Sequence, residues 1–170
     1  MLGGVAAVCA GVGGALIYSA SGIFNVAASH PHSNIAEQIT HQTMIHSVRA
    51  RAADIIVPAS ITAAQVVSGF CSYRAHCEMC HGAASVARQP WVNGMTPDPP
   101  YLLDAPRHWT PSQLFWIVKN GIKMTGMPAW DDQMSDAQIW NVVAFLEATN
   151  RVSPQVYMQW RSRGVCEPAR

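Results

Sequence analysis

No Asp, Glu, Lys or Arg occurs before Glu37, so with histidine neutral the stretch from Met1 to Asn34 carries no ionised side chain. Charge is scarce in the rest of the chain too. Charged residues make up 12% of the 170, and 11 Lys and Arg against 10 Asp and Glu leave a formal net charge of +1. A nucleic-acid-binding module would need a clustered basic face, which is absent. Also missing are a glycine-rich phosphate-binding motif and a serine nucleophile elbow, which removes the commonest nucleotide-dependent and acyl-transfer chemistries. No internal repeat interrupts the chain, whose length suits about one domain.

The uncharged N-terminal stretch is predominantly apolar or small from Leu2 to Ala28. That exceeds the roughly 20 residues a helix needs to cross a hydrocarbon core, so a membrane span is expected. A cleaved secretory signal is the alternative, with Val26-Ala27-Ala28 as an acceptable small-residue site. The length of the run and the missing basic n-region favour a retained anchor. With no Lys or Arg close to either flank, the positive-inside rule gives no orientation. Gly3, Ala7, Gly11, Ala15 and Ser19 recur every fourth residue. Such a stripe allows close packing of a second helix in lipid, although small residues are common in weakly apolar spans and the sequence leaves both readings open. Cys9 reads as a thiol inside the span, since Val8 occupies the place where a lipoprotein signal wants a small residue.

Chemistry enters at Cys77-Glu78-Met79-Cys80-His81. A C-x-x-C-H run places two thiols one helical turn apart, each able to join a vinyl group of haem, and the next residue offers an imidazole to the iron. Zinc would want a second ligand pair at similar spacing, which the sequence lacks. A thioredoxin-like redox pair follows a strand, whereas Val66 to Cys80 reads as a helix running into the motif. Gly82 then lets the chain turn closely past a flat macrocycle.

For a sixth ligand the best candidate is Met127, bracketed by Gly126 and Pro128 in a fixed loop. A thioether favours ferrous iron and closes it to exogenous ligands, which suits electron transfer. Met95, Met124 and Met134 compete; Met124 is expected at a helix end, and a Met in an apolar chain is commonly core filler.

With these residues in view the chain resembles the class I monohaem cytochromes c, and more closely the membrane-anchored periplasmic cytochromes of bacterial respiratory chains. The likeness covers about Val66 to Leu146. It rests on Gly69-Phe70 and Tyr73, Cys77 to Gly82, Pro99-Pro100-Tyr101-Leu102, Leu114 to Gly121, Met124 to Trp130, and the final segment Ile139 to Leu146. It implies an all-α fold around one covalent haem c, in which the first and last helices cross beside the haem. Gly69 would permit the close approach, with Trp140 or Phe145 filling the space. It also implies that a proline carbonyl accepts a hydrogen bond from the ring of His81; Pro100 is the matching position and Pro99 the rival.

Four segments are expected: residues 1–29 as transmembrane anchor, 30–62 as amphipathic connecting segment, 63–150 as haem domain and 151–170 as C-terminal tail. Within the second, Ser33 to Val57 reads as a helix with Ile35, Ile39, Ile45 and Val48 on one side, broken by Pro58. Thr110 or Ser112 opens a helix that Gly121 ends, and Ser135 with Gln138 forms a capping box. Pairing of Cys71 with Cys166 would staple the tail to the first haem-domain helix, a pairing the sequence leaves open.

The expected function is one-electron transfer by a tethered carrier, with no catalytic residue and no small-molecule substrate of its own. Cys77 and Cys80 hold haem c, His81 and Met127 ligate iron, and Pro100 orients the imidazole. The resemblance implies service to a periplasmic dehydrogenase or a terminal oxidase. Covalent haem attachment on the periplasmic side of the bacterial inner membrane would put the N-terminus in the cytoplasm. The rival readings are a haem protein that binds exogenous ligands or acts as a peroxidase, and a mainly structural anchoring subunit.

Overall fold

The computed structural model describes residues 2–149 and 152–166. They form helices and loops, with no strand among the described residues beyond an isolated bridge between Ala83 and Val86. Two compact units divide the chain: Met1–His32 and Ser33–Arg170. The boundary expected between 150 and 151 falls outside the described residues.

The first unit contains helix α1 (Leu2–Ala20). From Gly3 to Ala20 it is long and apolar enough to cross a membrane, and none of its described side chains is buried. Val8, Leu16 and Ile17 are each about two-thirds or more exposed, at 66%, 66% and 73%.

The second unit begins with α2 (Asn34–Ala52), capped by Ser33. Only its C-terminal half behaves as the sequence suggested. Val48 and Ala52 are buried and the helix packs against α6 (Pro111–Asn120), whereas Ile35 and Ile39 remain exposed. The helix also stops at Ala52, well before Pro58, so the proline is not what ends it.

The core is the crossing of α3 (Ala63–His76) with α7 (Asp136–Ala148). Both helices start in full capping boxes, Thr62 with Gln65 and Ser135 with Gln138, which satisfy first-turn N–H groups. Gly69 makes the crossing possible: a Cβ there would lie 1.8 Å from the carbonyl oxygen of Asn141 and 2.9 Å from the Cβ of Phe145. Phe145 fills the adjacent space, packing against Phe70 and Tyr73 at ring separations of 5.9 and 5.1 Å. Trp140 is spent elsewhere, stacked 4.4 Å from Phe115 of α6.

Helix α6 starts at the Thr110 capping box with Pro111 in its first turn. It ends at Gly121, whose φ of +63° and whose contact with the Pro128 carbonyl at 2.6 Å from a notional Cβ both demand glycine. Lys119 is tied to α7 by a 2.6 Å bond to Asp136.

The C-terminal segment is not a loose tail. Ser153 caps α8 (Pro154–Ser162), Tyr157 is buried against Phe70 at 5.1 Å, and Cys166 is disulfide-bonded to Cys71 of α3.

Candidate haem site

Helix α3 stops at His76, and the short α4 (Glu78–His81) follows at once. The N–H groups of Cys80 and His81 both donate to the Cys77 carbonyl, at 3.1 and 2.9 Å. That single turn sets the two thiols one turn apart and carries His81 into the interior, where it is buried. With Cys71 and Cys166 joined to each other, Cys77 and Cys80 are free thiols. Burial, with Cys80 as neighbour, pushes the Cys77 thiol up to about 12.

Gly82 closes the turn at φ +63°, and a Cβ there would lie 2.7 Å from the Tyr101 ring and 2.9 Å from the Val86 carbonyl oxygen. Tyr73 on α3 donates its hydroxyl to the Gly82 carbonyl at 2.6 Å. The left-handed glycine is thus pinned from both sides.

The Nδ1 atom of His81 lies 2.7 Å from the Pro100 carbonyl oxygen. A carbonyl can only accept, so the imidazole proton sits on Nδ1 and the Nε2 lone pair is left for a metal. Burial lowers the His81 pKa, the Pro100 bond opposes that shift and the Arg88 charge reinforces it. The neutral, ligating form is therefore favoured. Pro99 plays a different part: its carbonyl accepts from Arg88 at 2.7 Å. Arg88 also reaches Asn93 and Asp98, each at 3.1 Å, and lies 5.3 Å over the Tyr101 ring. One guanidinium thereby fixes the whole proline-rich loop that presents Pro100. The sequence reading missed Arg88, whose only local signal was a cation shortly before that loop.

Met127 is half-buried against the core in a loop tied at several points. Its N–H donates to the Thr125 hydroxyl at 3.1 Å, and its carbonyl accepts from Ile122 at 3.3 Å. Trp130 donates its backbone N–H to the Lys119 carbonyl at 3.0 Å and sets its ring 5.1 Å from that of His76, next to the attachment turn. The competing methionines separate clearly. Met124 lies in this loop rather than at a helix end, at φ +62° and 89% exposed, while Met134 is buried in the core. Met95 alone shares the neighbourhood, since a Cβ on Gly126 would fall 1.7 Å from its methyl group.

The residues fit a covalent haem: free thiols one turn apart, a buried imidazole with its outer nitrogen satisfied, and a glycine cradle that no side chain could occupy. Residues 64–146 match the model of a family described as cytochrome c oxidase, cbb3-type, subunit III. This part of the chain is a c-type monohaem cytochrome, with haem c attached covalently and electron transfer as its function. Neither curated proteins nor solved structures gave a match.

Proposed function

We propose that the chain is a membrane-tethered electron carrier in which Cys77 and Cys80 would hold the haem through thioethers and His81 and Met127 would ligate its iron. The bound haem supplies a one-electron ferric and ferrous couple. His81 offers Nε2 to the iron while Pro100 keeps the proton on Nδ1 and fixes the ring plane. Met127 would offer a soft, neutral sulfur to the iron, and the tied loop from Gly121 to Trp130 would hold it in place. The core around Phe70, Tyr73 and Phe145 excludes water. Helix α1 anchors the chain in the bacterial inner membrane with the haem domain in the periplasm, where haem c is attached. The printed description of the matched family favours a terminal oxidase complex as partner, with a periplasmic dehydrogenase as the other respiratory partner of the same kind.

The observation that carries the reading is the 2.7 Å bond between His81 Nδ1 and the Pro100 carbonyl, because it prepares one specific nitrogen for iron. Carbon monoxide binding to the ferrous protein tests the ligand set. The wild type should resist it, Met127→Ala should bind it readily, and Met95→Ala should behave as wild type. Ready binding by the wild type, or opening of the iron by Met95→Ala alone, would remove Met127 from the proposal.

A further inference from the structure

Helix α8 lies beyond the matched residues 64–146, yet it grips the haem-attachment turn. Glu78 stands between the two haem-bearing cysteines and is buried. Both of its carboxylate oxygens are taken by α8: the Tyr157 hydroxyl donates to Oε2 and the Arg161 guanidinium to Oε1. The helix cannot drift from this position easily. Tyr157 and Trp160 meet the Phe70 ring edge-on at 5.1 and 5.3 Å, and the Cys71–Cys166 disulfide fixes the chain beyond α8 to α3.

A partly buried ion pair adds little to the stability of a fold, because desolvating the Glu78 carboxylate offsets much of its attraction to the half-exposed Arg161, and well-packed apolar residues would hold α8 as well. Its place suggests another use. Reduction adds one electron to the iron and lowers its net charge by one, so a carboxylate held nearby opposes reduction. A guanidinium facing that carboxylate cancels part of the effect. The two partners are unequally screened, with side-chain exposures of 11% for Glu78 and 35% for Arg161, so the cancellation is incomplete.

We propose that Glu78 and Arg161 form a charge pair that sets the reduction potential of the haem, with Tyr157 as the positioning residue that holds the carboxylate inside the attachment turn. The proposal rests on the electron-carrying reading of the haem and is independent of which methionine completes the iron.

Redox titration of the full-length holoprotein tests it, using Glu78→Gln, Arg161→Gln and the double variant. Glu78→Gln should raise the midpoint potential, Arg161→Gln should lower it, and the double variant should return toward wild type. Tyr157→Phe, which removes a donor without changing charge, should shift in the same direction as Arg161→Gln and by less. If the pair only stiffened the turn, every variant would admit water and move the potential the same way; that result, or no shift at all, overturns the proposal. Should Glu78→Gln fail to retain haem, Arg161→Lys, which keeps the charge, should stay near the wild-type potential while Arg161→Gln lowers it; an equal fall in both, or a rise in Arg161→Gln, refutes the proposal. The ferric spin state of the wild type separates this from the ligand assignment: a high-spin wild type would refute the His/Met ligand pair while leaving opposite-sign shifts as support for the charge pair.

Discussion

Helices α1 and α7 are both rich in apolar residues and end in opposite situations. Helix α7 buries Ile139 and the run from Val142 to Leu146, whereas α1 buries none of its described side chains. The difference lies in what faces them. Helix α7 meets a complementary surface, the notch at Gly69, and its first turn is satisfied by Ser135 and Gln138. Helix α1 exposes Val5, Val8, Val12 and Leu16 on one side and the small residues Gly3, Ala7, Gly11 and Ala15 on another, and it is apolar enough to cross a membrane. An apolar helix becomes core only where another element is shaped to receive it.

The comparison breaks most severely at the notch. Gly69→Val would drive a side chain into the Asn141 carbonyl, well past the ~1–3 kcal/mol of ordinary overpacking. The crossing should fail and haem content fall to background, as read by the absorbance of purified protein. Next in size is a charge in the anchor. Val12→Arg near the middle of the span should disfavour insertion by about 2.5–3.5 kcal/mol. Fewer copies should reach the membrane and, with translocation, haem attachment, while the copies that do insert keep an unchanged haem spectrum, unlike the Gly69 variant. Smallest is Ser135→Ala, which removes the α7 cap and should lower stability by about 1 kcal/mol in denaturant unfolding, with haem retained.

Much of the haem unit was legible because its signals are local. The C-x-x-C-H turn, the helix start at Thr110 or Ser112, the capping box at Ser135, and the glycines at 69, 82 and 121 each declare themselves within a few residues. Contacts made across long stretches of chain were not legible in the same way. Arg161 meets Glu78 from 83 residues away, and Tyr157 from 79. The helix itself could have been found from Ser153-Pro154 as cap and first turn, with Val156, Tyr157 and Trp160 recurring on one face. The buried face expected of α2 is present only in its C-terminal half, for another reason. Ile35 and Ile39 have helical spacing, but α6 is short and meets only the last turns of α2, so periodicity without an opposing surface overstated the buried face.

The central claim is a division of labour, with residues 1–32 tethering and the chain from Ser33 onward carrying the electron. A specific protease site placed in the loop at Pro31-His32, cleaved in native membranes, tests this most directly. The account expects the haem-bearing fragment to appear in the supernatant with its midpoint potential and its resistance to carbon monoxide unchanged. Haem that stays with the membrane after complete cleavage and a wash that strips partner subunits, or a released fragment whose iron opens to carbon monoxide, would contradict it.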